Sequence, residues 1–392
     1  MKHIITSLVY TLAFLSFDIV STEGQNATRV GKLIPIFQVV TFPNLPCVGS
    51  SSRNGTCYTS EECTTRGKKF NYLRRQNGTN CNYCFLPLGG ISAGSCAQGF
   101  GVCCTFSIAC GATTSQNCTY LIQAATTNPT SDPCVFTICK DSADICRIRL
   151  DFTTFSIAGP VTGSVIDSNA LEDNGGTVGD CLMDSFTLTS PGNQASPVIC
   201  GFNTGQHMIV DASDQCHKAS FDFSGTATTR QFEIKVTQYQ CGDELGGPDG
   251  CLQFFTGNTG QFASFNFPTT SSTVTSTVTH LSNQCYNMCF RQEVGKCAIC
   301  FNVVIEGTGA TDQGSFGLSI AFTAAMADGV QDSKCSEDYL QIPGGERSAT
   351  GALFAVGSIA LIGHDRICGR SFGHTDTEAE GAANNEESIC SK

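Results

Sequence analysis

The stretch "ICRIRLDFTTFSIAG", residues 145–159, places Ile148, Leu150 and Phe152 two residues apart with polar side chains between them. A period of two is that of a strand with one buried face. "GQHMIVDAS" (205–213) and "TRQFEIKVTQYQC" (229–241) read the same way, and "DNGG" (173–176) supplies a turn. No long run with a 3.6-residue period begins with a capping residue, so helices are not expected. Residues 110–241 are therefore predicted to form an antiparallel β-sandwich.

The pattern restarts at 242. "CLQFFTGNTGQFASFNFP" opens the second region, the Thr/Ser-rich "TTSSTVTSTVT" follows, and "CYNMCFRQEVGKCAICFNVVIEG" and "FGLSIAF" are again strand-like. "GDCLMDSFTL" with a later "VICG" is echoed by "SKCSEDYLQI" with a later "RICG". A Cys-X-X-Asp strand followed by Ile-Cys-Gly, in the same order twice, marks an internal repeat. The predicted fold class is all-β.

Upstream lie eight cysteines in fewer than sixty positions: Cys47, Cys57, Cys63, Cys81, Cys84, Cys96, Cys103 and Cys104. With few large aliphatic residues, 47–104 cannot fold on apolar burial alone and is expected to be a cross-linked head module. Its end, "GSCAQGFGVCCTF" (94–106), sets Cys103 beside Cys104. The adjacent pair fits a metal site, a redox pair, or two disulfides leaving opposite faces of one strand.

The whole chain has 392 residues, 25 cysteines, 41 glycines, no tryptophan and only 14% charged residues. Low charge with dense cysteine fits disulfide-stapled modules of an oxidising compartment. "MKHIITSLVYTLAFLSFDIVSTEG" has a cationic start, an apolar run to about Phe17 and small polar residues after it. That is the layout of a secretory signal peptide over 1–22, leaving 23–46 as a linker. No later run is long and apolar enough for a membrane span, "TGALFAVGSIALIG" (350–363) included. Asn-X-Thr sequons at Asn26, Asn54, Asn77 and Asn117 predict a glycoprotein. The net charge of −12 excludes nucleic acid as a partner, since phosphate binding needs a basic face.

Catalysis finds no support in the residues. The six histidines, His3, His207, His217, His280, His364 and His374, stand in no Ala-Ala-His-Cys or His-Glu-X-X-His context, and no Gly-Asp-Ser-Gly-Gly stretch occurs. "CNYC" (81–84) and "CAIC" (297–300) have zinc-ligand or redox spacing, but secretion favours disulfides. The basic "RGKKFNYLRR" (66–75) offers a site for a sulfated glycan, though a solvated insertion loop explains it as well.

With these residues set out, two resemblances emerge. Cys47, Cys57, Cys63, Cys96, Cys103 and Cys104, with "NGTCYTSEEC" and "GVCC", resemble an arthropod clip-type module with a long insertion that carries Cys81 and Cys84. The resemblance implies the pairs Cys47–Cys103, Cys57–Cys96 and Cys63–Cys104, and the insertion a local Cys81–Cys84. The two repeats resemble CUB domains, β-sandwiches of extracellular proteins, at 110–241 and 242–392. That implies Cys110–Cys134 and Cys181–Cys200 in the first and Cys335–Cys368 in the second, with Cys139–Cys146 as an added staple. The partners of Cys118, Cys216, Cys241, Cys251, Cys285, Cys289, Cys297, Cys300 and Cys390 stay open.

Some CUB domains hold Ca²⁺, which implies Asp184 of Cys-X-X-Asp and Asp211 or Asp214 as ligands here. Leu121 stands where a first acidic ligand belongs, and in the second repeat only Asp338 matches. The second repeat ends 24 residues after Cys368, and the cysteine count is odd. From these, the second sandwich is expected to be incomplete, the chain a fragment or truncated, and Cys390 or another thiol unpaired. The resemblance covers nearly all of the chain after the leader. It implies a secreted, non-catalytic glycoprotein that binds other extracellular proteins, with a protease regulator and a matrix or cuticle protein as alternatives.

Overall fold

The computed structural model describes residues 41–50, 52–66, 89–129, 131–162, 178–225, 229–267 and 280–304. It also describes the short stretches 316, 318, 330–331, 338–344, 346–348, 366–368 and 388–391. The chain divides into units at 1–41 and 42–392, and everything below concerns the second. The fold is all-β.

The head contains β1 (Pro46–Val48), β2 (Asn54–Tyr58), α1 (Ser60–Thr65), β3 (Ile91–Cys96) and β4 (Gly101–Ile108). The single-turn α1 is not anticipated by apolar periodicity, but "TSEE" encodes it. Thr59 caps the Glu62 amide and the Glu62 carboxylate accepts the Thr59 amide, a reciprocal capping box. Cys103 is opposite Cys57 in the register of β4 on β2, and Cys104 is opposite Thr56. The adjacent cysteines diverge to Cys47 and Cys63, and Cys96 closes on Cys57. A methyl at Gly101 would come within 2.8 Å of the Cys57 sulfur, so glycine is what lets β4 start against that disulfide. The turn before it uses Gly99 at φ +93°.

The strand β4 does not end with the head. Its later half pairs in parallel with β6 (Thr119–Thr126), Phe106 facing Thr119. One eight-stranded sheet therefore runs β1-β2-β4-β6-β12-β8-β10, with β3 on the other side of β4. Here β8 is Ile145–Ser156, β10 is His207–Asp211 and β12 is Arg230–Gln240. Facing it lies a four-stranded sheet, β5-β7-β11-β9, formed by Thr113–Thr114, Cys134–Ile138, His217–Phe223 and Asp184–Leu188 respectively.

The core between the sheets is aromatic. Phe136, Phe155, Phe186, Phe221 and Phe232 are fully buried, and Phe152 nearly so. Phe221 of one sheet stacks on Phe232 of the other, centroids 3.9 Å apart and planes 5° from parallel. Each such ring contributes about 1.5–3 kcal/mol by burial. The register of β8 on β12 shifts between Glu233 and Ile234. That bulge turns Phe155, three residues beyond Phe152, back into the core.

After β12 the chain continues into β13 (Cys251–Phe255), which pairs in parallel with β14 (Asn287–Phe290) and is joined to it by Cys251–Cys289. Leu252, Phe265 and Leu281 are buried in the same core as the sandwich. Two small sheets follow: β15 (Ile299–Phe301) and β18 (Glu346–Ser348) flank β20 (Ser388–Ser391), and β16 (Val330–Gln331) and β17 (Leu340–Gln341) flank β19 (Arg366–Cys368). Cys390 is bonded to Cys300.

Two cysteine expectations change. Cys139 bonds Cys216 and Cys146 bonds Cys241, so the local staple Cys139–Cys146 does not form. Cys139 follows β7 and Cys216 precedes β11, its neighbour; Cys146 lies in β8 and Cys241 follows β12, its neighbour. Each bond thus clamps paired strands within one sheet, whereas Cys139–Cys146 would have to cross between sheets. Cys390 is not unpaired; the free thiols among the described residues are Cys118, Cys285 and Cys297.

Candidate functional site at the ends of the first sandwich

Asp184 begins β9 in phase with Phe186 and Leu188, so its carboxylate points inward. Arg230 begins β12 in phase with Phe232 and Ile234 and points inward from the opposite sheet. The two meet as a fork: Nε donates to Oδ2 at 2.8 Å and Nη2 to Oδ1 at 2.9 Å. The Ala158 amide adds a bond to Oδ2 (2.8 Å) and the Gly225 amide one to Oδ1 (3.2 Å). Arg230 also donates through Nη1 to the Thr127 carbonyl at 3.1 Å and through Nη2 to the Gly225 carbonyl. Its side chain is 2% exposed and that of Asp184 is 0%. The guanidinium carbon lies 5.2 Å from the Phe223 ring centroid.

The other end of the sandwich has a different set of charges. Arg147 of β8 pairs with Asp211 at the end of β10 and with Asp249 beyond β12. Lys140 pairs with the exposed Asp214 at 2.8 Å. A cleft of about 790 Å³ opens here, lined by Arg147, Asp243, Glu244, Asp249, Arg291 and Glu293 among others.

These positions do not assemble the expected calcium ligands. Ala158, just past β8, touches Asp184, whereas Asp211 faces Arg147 near its start. At about 3.3 Å per residue the two carboxylates are separated by roughly 30 Å. All three aspartates, Asp184, Asp211 and Asp214, are engaged by cations of the chain itself. Leu121, where a first ligand belongs, is fully buried in the apolar core. Among the described residues no three His, Cys, Asp or Glu side chains gather as a metal site. Asp338 lies 3.3 Å from the His280 ring nitrogen. The residues present do not fit calcium at the first repeat.

Two histidines are held neutral by geometry. His207 is buried and its Nε2 accepts the Phe254 amide at 2.9 Å, joining β10 to β13. Burial, with Arg149 nearby, lowers its pKa to about 4. Fully buried His217 accepts the Ser213 amide at Nε2 (2.9 Å), and its Nδ1 is 2.7 Å from the Thr189 carbonyl. Burial lowers its pKa too. With both ring nitrogens of His217 bonded to backbone, it has none left for general-base chemistry.

Of the sequons, Asn54 is exposed at the start of β2, and its backbone NH and CO bond the Tyr120 hydroxyl. Asn117 is exposed but its amide exchanges bonds with the Gln238 backbone. Asn26 and Asn77 lie outside the described residues, as do Cys81–Cys84 and, apart from Arg66, the basic stretch 66–75. Arg66 donates to the Tyr58 hydroxyl at 3.0 Å. Cys110–Cys134 and Cys181–Cys200 are disulfides. Cys368 is disulfide-bonded, while Cys335 lies outside the described residues. Among the described residues no helix is long and apolar enough to cross a membrane.

Sequence reasoning missed Arg230, the group that completes the Asp184 site. Its signal was present: an arginine on the apolar phase of a buried strand must find a carboxylate inside.

No curated protein matches the chain. Among solved structures it is similar to the CUB1-EGF-CUB2 domain of human MASP-1/3, at 12% identity over 34% of this chain and 41% of that one (TM-score 0.22). It is similar to the CUB1-EGF-CUB2 domains of rat MASP-1 at 11% identity over 73% and 93% (TM-score 0.22). It is also similar to the full extracellular region of zebrafish Gpr126/Adgrg6, at 16% identity over 35% and 15% (TM-score 0.23). The chain spans under half of the human fragment and less still of the zebrafish one. The family model of the animal CUB domain matches residues 248–392, so this part of the chain carries a CUB domain.

Proposed function

We propose that the protein is a secreted, non-catalytic glycoprotein that binds other extracellular proteins through its CUB and CUB-like regions. The observation that carries this reading is that the two buried histidines and the aspartates set out above are held by the fold. His207 and His217 accept backbone amides, Asp184 pairs with Arg230, Asp211 with Arg147 and Asp214 with Lys140. The described surface also exposes apolar side chains, among them Leu245 and Val294 beside the charged cleft. Such a surface suits recognition by a partner protein rather than bond-breaking chemistry.

The test is expression of the full chain in secretory cells. The protein should be recovered from the medium with a mass that falls on glycosidase treatment. Immobilised, it should retain soluble extracellular proteins that free protein competes off. Retention inside the cell, or peptide-bond hydrolysis that co-purifies with the chain, would refute the reading. Capture of active proteases would narrow it to a regulator, and recovery only in an insoluble matrix would point to a structural protein instead.

A further inference from the structure

We propose that Arg230 is a built-in cation of the first sandwich, so that this domain neither needs nor holds calcium at the aspartate of its Cys-X-X-Asp strand. A carboxylate offers about four acceptor positions. Those of Asp184 meet four N–H donors within 3.2 Å: Ala158 N, Gly225 N, and Nε and Nη2 of Arg230. Calcium requires six to eight oxygens in a flexible shell. To reach Asp184 it would have to displace a guanidinium that is anchored on the Thr127 and Gly225 carbonyls and sealed from solvent.

The arginine does the mechanical work of a structural ion. Through Asp184 and Arg230 the network ties together five segments: the chain after β6 (Thr127), after β8 (Ala158) and after β11 (Gly225), and the starts of β9 and β12. Both sheets are included, so the network fixes how they meet at this end. An ion comes and goes with its concentration, whereas a side chain does not. The geometry of this end is therefore independent of calcium, whatever the CUB domain at 248–392 does with its own Asp338.

Hydrogen exchange read by mass spectrometry on the full wild-type chain tests this without a variant that could misfold. Exchange is compared in millimolar calcium and in chelator for the peptides that contain Ala158 and Gly225. The expected ratio of rates is one for both peptides, whether or not calcium protects segments elsewhere. Slower exchange at either amide on adding calcium would overturn the proposal, because these amides bond the carboxylate oxygens a calcium ion would take.

Discussion

Replacing Asp184 with asparagine keeps the size of the side chain and removes only its charge. Arg230, 2% exposed, would then be a buried cation without a counter-charge. At charge centres about 4 Å apart and an effective dielectric near 20, the lost attraction is about 4 kcal/mol. Breaking a buried pair from one side costs about 3–5 kcal/mol, which agrees. The asparagine NH₂ group would also face donors at Ala158, Gly225 or Arg230, wherever it turned. Against a domain stability of about 5–15 kcal/mol, a loss of about 4 kcal/mol on Asp184→Asn is from roughly a quarter to most of the total. The chain has no tryptophan, so urea unfolding with disulfides intact is followed by far-ultraviolet circular dichroism. The midpoint should fall with an unchanged slope. The double variant Asp184→Leu/Arg230→Met replaces both charges with apolar groups and should recover most of the loss. A single variant costing under about 1 kcal/mol, or a double variant as unstable as the sum of the two singles, would refute the account of this pair.

Acid should destabilise the first sandwich. His207 has a folded pKa of about 4 against an ordinary value of 6.5, so the unfolded chain binds the extra proton between those values. Stability is then full above pH 6.5 and falls as pH drops to about 4, by on the order of 3 kcal/mol, with His217 acting in the same direction. A urea midpoint that stays flat or rises on acidification through this window would contradict that. Phe221→Ala removes the ring stacked on Phe232 and should cost about 3–5 kcal/mol in the same unfolding assay; a loss below about 1 kcal/mol would mean that the two rings do not pack as described. Peptide mapping without reduction should recover Cys139 linked to Cys216 and Cys146 linked to Cys241. A fragment with Cys139 and Cys146 bonded to each other would sink the strand pairing that dictates those links.

Strand identity was legible where the inward residues keep a period of two, as along β12 and through Ile148, Leu150 and Phe152 of β8. The expected alternation fails in β10, where His207, Met208, Ile209 and Val210 are all buried because β13 packs on its other side. Bulges were not legible: nothing local in "LDFTTFS" says that Phe155 rejoins Phe152 on one face, because the shift is set by pairing with Glu233 and Ile234. The error over Cys139 and Cys146 has the same origin. Seven residues apart in sequence, Cys139 just past β7 and Cys146 in β8 belong to different sheets, and their partners are set by which strands are neighbours. The calcium reading failed over distance along a strand. Asp184 and Asp211 are 27 residues apart in sequence yet belong to opposite ends of β8. Arg230 and Asp184 could have been matched, since both occupy the inward phase of apolar strands, and two buried opposite charges in facing sheets are far less costly together than apart.

The cysteine spacing reads as separable modules, but the packing joins them. The apolar cluster of the head consists of Tyr58, Cys63, Cys104 and Phe106, two of them one disulfide. So small a core orders little chain by burial, and the disulfides act mainly on the unfolded state. The remaining support comes from outside the head. The shared strand β4 extends the sandwich sheet into it, the Tyr120 hydroxyl bonds the Asn54 backbone, and Arg53 forks onto Glu233 of β12 at 2.8 and 3.1 Å. On the other flank, Leu252, Phe265 and Leu281 enter the sandwich core, and His207 takes the Phe254 amide. A flexible chain of modules would have to order its joints on binding and lose affinity for it. Here the joints from the head to β14 are already packed and hydrogen-bonded, so a partner that contacts both the head and the sandwich meets a surface set before it arrives.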